Sequence, residues 1–231
     1  MPHSVQIGQT MLPVLPPLEA RVLGVLVEKE HTVPDIYPLS LNALTAGCNQ
    51  KNNRDPVMNA TESDVQAAID RLRPLSLVIE SSGSRVMRYS QNVQRVLKVP
   101  TEAVALLATL WLRGPQTAAE LRAASERLHR FADVSSVEGY LEQLASRADE
   151  AGGPLVVLLP RSPGMREQRW AHLLSGPVEI ATSSAAQSGD RGAGPSELGA
   201  LRQEVARLAA EVAALRAQVE ALERDRPSDS R

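Results

Sequence analysis

Several residue types are scarce in this chain of 231 residues, and their scarcity limits what the protein can be. Aromatic residues make up 3% of the chain and hydrophobic residues 43%, so the core must consist mainly of Leu, Val and Ala. The single cysteine, Cys48, excludes an internal disulfide and fits a reducing compartment. No apolar run approaches the ~20 residues of a membrane span, and the N-terminus lacks the pattern of a signal peptide. We therefore expect a cytoplasmic protein without a membrane partner.

Sequence motifs of catalysis and metal binding are also missing. The chain lacks the Gly-rich loops that bind phosphates in nucleotide-dependent enzymes. Its four histidines are scattered, and with one cysteine they offer no zinc-binding spacing. Cys48 falls on the inward face of a predicted helix, where a thiol packs as a small, nearly apolar group. We therefore expect a protein that is not an enzyme, with no catalytic residue, no metal and no cofactor.

The charge of the chain is nearly balanced, with a formal net charge of −2. This balance argues against a surface uniformly covered with phosphate-binding groups. Basic residues are concentrated between residues 71 and 98, where Glu80 is the only acidic residue. The basic residues of this segment are Arg71, Arg73, Arg85, Arg88, Arg95 and Lys98. The one clear basic patch is therefore local.

Residues 17–98 follow the order of a winged helix-turn-helix domain, three helices and then a two-stranded hairpin. Apolar residues recur at helical spacing over Pro17–Glu30, and proline suits the first turn of a helix. Ser40 and Thr61 are typical N-cap residues for the second and third helices. The two strands are predicted over residues 75–80 and 85–89.

The same order recurs in residues 100–176. Three further helices are predicted there, and Ser135 and Glu138 have the spacing of a capping box at the start of the third. The strands are predicted over residues 155–159 and 166–173. We therefore predict a second winged-helix domain, joined to the first almost without a linker at Val99-Pro100.

The two copies differ in the length between their first and third helices. Glu19-Ala20 recurs as Glu102-Ala103 after 83 residues. Val65, Ile69 and Leu72 recur as Val137, Leu141 and Leu144 after only 72 residues. The first copy therefore carries 11 additional residues in this region. Extra sequence in one copy of a duplicated fold indicates a specialised segment.

The additional residues fall in the region that contains a polar loop, defined here as Asn49–Met58. It is almost free of apolar residues, and its Pro56 cannot continue a helix. Asn and Asp side chains bond their own backbone, while Lys and Arg donate to anions. The loop can therefore hold its own shape and bind a partner, although a self-capped, solvated turn is the alternative. We expect several of the side chains of Asn49, Gln50, Asn52 and Asn53 to bond neighbouring backbone, so that the loop is ordered without a ligand.

The remaining segments flank the two predicted domains. We predict a flexible arm over residues 1–16 and, from its Ser, Ala, Gly and Pro content, a flexible linker over residues 177–196. Heptads over residues 197–226 place β-branched residues at a and Leu at d, a pattern typical of a parallel two-stranded coiled coil. The alternative is one amphipathic helix folded onto the rest of the protein. The predicted homodimer contacts are Leu201, Val205, Leu208, Val212, Leu215, Val219 and Leu222.

Several segments carry a resemblance to a known family. They are Leu18-Glu-Ala-Arg-Val22, Tyr37-Pro-Leu-Ser40, Cys48-Asn-Gln-Lys-Asn-Asn-Arg-Asp-Pro-Val57, Leu112-Arg-Gly-Pro-Gln-Thr117 and the turn Pro163-Gly164-x-Arg166-Glu167-x-Arg169. Together they make residues 15–176 similar to the YceH family of bacterial proteins. The resemblance implies a tandem winged-helix fold and no particular activity. The heptads lie outside it, as a variable addition.

We therefore predict a mainly α protein with small β-hairpins (α+β), consisting of two tandem winged helix-turn-helix domains plus a C-terminal coiled-coil helix. Winged helices commonly bind DNA, and the N-terminal part of the recognition helix usually reads the bases. In this chain those segments, residues 61–64 and 135–138, carry acidic groups that would repel phosphates. We therefore expect a DNA-associated regulatory protein that contacts DNA through two parts of the first domain. These are the polar loop and the wing, which is the hairpin of the two strands predicted over residues 75–80 and 85–89.

The alternative is a protein-protein interaction scaffold with winged-helix modules and no direct DNA contact. For Arg85 and Arg88 themselves, the alternative to any partner contact is that they are ordinary solvent-facing strand residues. Under either interpretation the partner surface would be the same part of the first domain. The predicted contact residues are Asn49, Gln50, Lys51, Asn53, Arg54, Arg71, Arg73, Arg85 and Arg88.

Overall fold

A computed structural model describes residues 13–82, 86–161 and 167–176. All of these residues lie in one compact unit. Within these ranges the chain forms seven α-helices and two small antiparallel sheets, an α+β fold. None of the helices described is long and apolar enough to cross a membrane. The predicted linker and coiled coil, residues 177–226, lie outside the described residues.

The first half of the fold packs three helices on a three-stranded sheet. Its helices are α1 (Pro17–Thr32), α2 (Leu41–Cys48) and α3 (Glu62–Leu72), and its strands are β1 (Leu39–Ser40), β2 (Val78–Ser82) and β3 (Met87–Gln91). The sheet order is β1-β3-β2, with Tyr89 of β3 opposite both Leu39 and Glu80. The two-residue strand β1 is too short to give a period in the sequence, so the predicted hairpin lacked this third strand.

The second half repeats this order on a smaller scale. After a short helix α4 (Val93–Leu97), the elements are α5 (Thr101–Arg113), α6 (Ala118–Ser125), α7 (Val134–Ala145), β4 (Val156–Leu158) and β5 (Trp170–His172). Strands β4 and β5 are antiparallel, with Val156 opposite His172. Gln116 forms a bridge to Trp170, in the place that β1 occupies beside β3. Each of the two sheets is therefore paired at a third position, by β1 in the first half and by Gln116 in the second.

One hydrophobic core joins the two halves. Helix α1 packs along α5, and residues of α5 such as Leu106, Leu107 and Leu110 are fully buried. Gly24 permits the close approach, since a Cβ at this position would lie 2.9 Å from Cγ of Leu112. The two predicted domains therefore share one core.

Two predictions at the ends of elements are wrong. The predicted arm includes Leu15, yet this residue is 1% exposed and its N–H donates to the Leu174 carbonyl at 2.7 Å. The predicted capping box of Ser135 and Glu138 is replaced by Asp133, whose side chain accepts from the backbone N–H of Ser136. A carboxylate placed just before the helix competes successfully for this role.

Candidate functional site at the polar loop

The polar loop is held at both ends by Arg21, a fully buried residue of α1. Its guanidinium donates from Nη2 to the Pro56 carbonyl at 2.7 Å and from Nη1 to the Cys48 carbonyl at 3.4 Å. Burial and the nearby charge of Arg54 lower the pKa of Arg21, but an arginine remains protonated in a protein. One buried cation therefore joins the two ends of the loop.

Arg54 is the second anchor of the loop. It was predicted as a partner-contact residue, which would have to be exposed, but it is only 6% exposed. Its guanidinium forms a bidentate ion pair with Glu28 of α1, at 2.6 and 3.2 Å, and also donates to Gln50 Oε1 at 2.7 Å. The prediction of exposure is wrong because α1 supplies a carboxylate that matches the planar guanidinium.

The carboxylate that pairs with this anchor, Glu28, is held in its charged form. Burial on its own would raise the pKa of Glu28, but hydrogen bonds and charges from Arg54 and Lys29 outweigh it and hold the pKa below its ordinary value of 4.5. Glu28 is therefore an anion with two cationic partners. Burial raises the pKa of the Cys48 thiol to about 12. Cys48 is fully buried, so the prediction that it packs in the interior is confirmed.

Asn49 fixes the loop to the start of α3. Its Nδ2 donates to the Ala60 carbonyl at 2.7 Å, and its Oδ1 accepts from the Ala60 N–H at 2.8 Å. The prediction that several of the four side chains bond neighbouring backbone is therefore wrong, because in the described part of the chain Asn49 alone among them does so and Gln50 bonds the side chain of Arg54. Asn53 adopts a left-handed conformation with φ of 60°, which asparagine tolerates. The Asn52 and Asn53 side chains form no hydrogen bond with another residue that the structure describes.

The other predicted contact residues are distributed differently. Arg71 pairs with the buried carboxylate of Glu19, and Arg73 pairs with Glu80 at 2.8 Å, so carboxylates neutralise both. Arg88 donates to the Pro38 carbonyl at 2.7 Å and to the Ile36 carbonyl at 3.3 Å. Arg85 lies outside the described residues. Lys51 is exposed in the polar loop and has no bonded partner in the described ranges.

A cleft of about 380 Å³ opens beside the polar loop. Its walls come from the end of α1, the polar loop, the end of α5 and the residues around the end of α6. Its cationic lining residues are Lys29, Lys51, Arg113 and Arg127. Among the described residues, the only acidic one that lines the cleft is Glu28, which already pairs with Arg54 and Lys29. The cleft is therefore electropositive.

Arg113 is the unusual residue of this cleft. It is half-buried, and burial is the main cause that lowers its pKa; the charge of Glu28 raises this pKa and the charge of Arg54 lowers it. No hydrogen bond or ion pair joins its guanidinium to another described residue. The described residues also contain no cluster of His, Cys, Asp and Glu that could hold a metal ion. The chemistry that this arrangement offers is the binding of an anion.

Sequence reasoning missed the charged residues of the site that lie outside the polar loop. They come from helices or a helix end, and they are Arg21, Glu28, Lys29, Arg113 and Arg127. Arg21 and Arg113 do lie within the segments that carry the family resemblance, which was the one available signal. The site thus joins the loop to a helix of each half.

Known proteins share most of this chain. The family model described as "Protein of unknown function, DUF480" matches residues 15–165. A UPF0502 protein of Leptothrix cholodnii is 63% identical over 191 residues, which cover 81% of this chain and 84% of that protein. A UPF0502 protein of Methylibium petroleiphilum is 61% identical over 191 residues, covering 83% of this chain and 78% of that protein.

A UPF0502 protein of Burkholderia orbicola is 60% identical over 190 residues, covering 81% of this chain and 79% of that protein. The matched region includes the polar loop and the residues that line its cleft. These matches agree with the resemblance to the YceH family that the motifs carry. The chain therefore belongs to the DUF480 family, whose members include the UPF0502 proteins of these bacteria.

Proposed function

We propose that this chain is a tandem winged-helix protein that associates with DNA in a regulatory role, contacting it through the wing and the polar loop of the first domain. Support for the fold comes from the order of elements, since each half has three main helices followed by a hairpin. The bridge between Gln116 and Trp170 repeats the pairing of β1 with β3. This arrangement is typical of winged helices, many of which bind nucleic acid.

The contact that we propose is with the phosphate backbone. Glu62 and Asp64 are exposed at the start of α3, and Glu138 is exposed near the start of α7. Asp64 also caps α3 by accepting from the Thr61 N–H at 2.8 Å. These carboxylates oppose entry of either helix into a groove. Cations elsewhere can bind phosphates, which positions a protein on DNA without reading its sequence.

One observation carries the proposal: the same chain segment lies next to both Lys51 and Arg88. Neither of these cations pairs with a carboxylate in the described ranges. Arg88 holds the base of the wing to the carbonyls of Ile36 and Pro38. Val33, at the start of the same connecting segment, lines the cleft together with Lys51. The segment between α1 and β1 thus links the wing to the polar loop. Successive phosphates of a DNA backbone can lie along this segment and contact both cations.

Fluorescence anisotropy with labelled duplexes at low salt tests this proposal. Lys51→Ala with Arg88→Ala should weaken binding to unrelated sequences alike, and should reduce the salt slope by ~1 for each lost phosphate contact. The matched control is Arg95→Ala with Arg130→Ala, which removes the same charge from exposed residues of α4 and of the segment before α7. Equal affinity of the wild type and the Lys51/Arg88 variant would contradict the proposal.

A second function is favoured by the apolar character of the wing. Ile79, Val86 and Met87 of the wing are exposed, and so is Ile36 beside it. Exposed apolar side chains around a cation suit a protein partner, as a scaffold would need. This candidate predicts that the wild-type chain does not bind duplex DNA even at low salt.

We also propose that residues 197–226 pair as a parallel two-stranded coiled coil and make the protein a homodimer. This segment lies outside the described residues, so the proposal is supported by its heptads alone. Four heptads with Val at most a positions and Leu at d favour two strands. Two copies of the wing on one dimer would increase the effective affinity for a long duplex.

A further inference from the structure

We propose that the cleft beside the polar loop binds a small organic phosphomonoester, a ligand separate from the DNA of the proposed function. A cleft of about 380 Å³ falls within the ~300–1,000 Å³ that is usual for small-molecule sites. Cationic side chains reach it from the polar loop, from α5 and from the segment after α6. Such a convergence of charge from separate elements defines a site for an anion.

The charge of the cleft is not neutralised from within. Its acidic lining residue, Glu28, is held by the bidentate pair with Arg54 and by Lys29 at 3.3 Å. Lys51, Arg113 and Arg127 form no ion pair with another residue in the described ranges. Three cations therefore face the cleft without an anion of their own.

Arg113 is the residue that most directly points to a ligand. Every other arginine that is buried or half-buried in the described ranges donates to at least one acceptor, as Arg147 does to the Gly153 carbonyl at 3.2 Å. Burying part of a charge without a hydrogen-bond acceptor costs free energy. An anionic oxygen in the cleft would supply the acceptor, and guanidinium groups bind phosphate oxygens in bidentate geometry.

The rest of the lining fits an organic phosphate better than a simple anion. A phosphomonoester has three terminal oxygens, enough to contact several cations at once, whereas a carboxylate is satisfied by a single guanidinium. Asn52 and Asn53 add side-chain amides to the wall. Val33, Leu112 and Leu128 provide apolar contacts for a short organic body. Arg21 and Arg54 fix the loop in advance, so little conformational entropy is lost on binding.

The position of Arg113 suits a small ligand better than duplex DNA. A duplex presents its phosphates on a convex surface and reaches exposed side chains such as Lys51. A half-buried guanidinium inside a cleft is accessible to a small molecule instead. Arg113 is not part of the DNA surface proposed above, so the two proposals can fail independently.

Isothermal titration calorimetry and thermal unfolding of the full chain test this inference at constant low ionic strength. The probes are glycerol 3-phosphate, inorganic phosphate and succinate, a dicarboxylate of similar charge. We expect glycerol 3-phosphate to bind and raise the Tm, inorganic phosphate to bind more weakly and succinate to have no effect. Absence of binding by glycerol 3-phosphate at millimolar concentration, or equal binding by succinate, would overturn the inference.

Two variants locate the site. Arg113→Gln should weaken glycerol 3-phosphate binding about tenfold or more, as expected for a lost charged hydrogen bond. Lys51→Gln changes an exposed side chain and should weaken it without affecting the fold. Arg95→Gln is the charge-matched control on exposed surface of α4, and should bind like the wild type. Wild-type affinity in both Arg113→Gln and Lys51→Gln would overturn the assignment.

Discussion

At the scale of single residues, two arginines convert a polar stretch of sequence into an ordered loop. Arg21 joins the carbonyls of Cys48 and Pro56, and Arg54 joins Glu28 to the loop. Both side chains are buried, although arginine is rarely found in a protein interior. Removing one partner of such a pair leaves a charge without compensation, which costs far more than losing a surface pair.

We therefore expect Glu28→Gln to lower the free energy of unfolding by about 3 kcal/mol, because it leaves the guanidinium of Arg54 buried and unpaired. Urea unfolding of the wild type and the variant measures this change. Glu138→Gln, on the exposed face of α7, is the matched control and should have almost no effect. A loss below about 0.5 kcal/mol for Glu28→Gln, the usual size of surface effects, would contradict the role of the pair.

His172 of β5 makes the stability of the fold depend on pH under acidic conditions. Burial lowers the pKa of His172 from 6.5 to about 4, and its buried Nδ1 has no hydrogen-bond partner among the described residues. The folded chain therefore resists protonation more than the unfolded chain. The stability that His172 contributes is present above pH 6.5 and is lost as the pH falls towards about 4.

The corresponding prediction concerns the slope of stability against pH. His172→Phe keeps an aromatic ring but removes the titrating group, so the free energy of unfolding should depend less on pH between about 4 and 6.5. Denaturant unfolding at a series of pH values measures this slope. Identical slopes for His172→Phe and the wild type would show the assignment to be wrong.

At the scale of elements, the close packing of α1 on α5 makes two glycines behave in opposite ways. A Cβ at Gly24 would lie 2.9 Å from Leu112 Cγ, whereas a Cβ at Gly139 in α7 would meet nothing within 4 Å. Alanine improves helix propensity by about 1 kcal/mol at either position. Only at Gly24 does overpacking oppose that gain, at a cost of about 1–3 kcal/mol.

We expect Gly24→Ala to destabilise the protein and Gly139→Ala to stabilise it by up to about 1 kcal/mol. Thermal and urea unfolding of the two variants against the wild type provide the comparison. Stabilisation by both substitutions would mean that α1 and α5 are not in such close contact.

The helix starts show how far local sequence determines these elements. Ser40 and Thr61 were predicted as N-caps and accept the expected backbone N–H groups. The cap of α7 was misplaced because Ser135 and Glu138 have the right spacing, and nothing in the local pattern ranks them below Asp133. The five-residue helix α4 is too short to show a helical period.

The candidate site was less predictable than the elements, because its contacts connect distant parts of the chain. The additional 11 residues of the first copy indicated that the polar loop is specialised. The pairing of Arg54 with Glu28 spans 26 residues, and no local pattern indicates it. Arg113 enters the site from α5, which becomes its neighbour only when the two halves share a core. The structure was therefore needed to show which charged side chains of the site are buried and which of them form pairs.

At the scale of the whole molecule, the coiled-coil proposal predicts a dimer that depends on residues 197–226. Leu208→Glu with Leu215→Glu places charges at d positions of the seam and should give monomers in sedimentation equilibrium. A chain ending at Ser175 should be monomeric as well, with Glu204→Gln as a conservative control at a position outside the seam. A monomeric wild type at micromolar concentration, or a dimer that survives the truncation, would contradict the proposal.

The salt dependence of DNA binding tests the proposed function most directly. If Lys51 and Arg88 bind phosphates, the wild-type chain should bind duplexes of unrelated sequence with similar affinity at low salt. The logarithm of the binding constant should then fall linearly with the logarithm of the salt concentration, because each phosphate contact releases counterions. Absence of binding at low salt would contradict DNA binding by this protein, and an affinity that does not change with salt would contradict the proposed phosphate contacts.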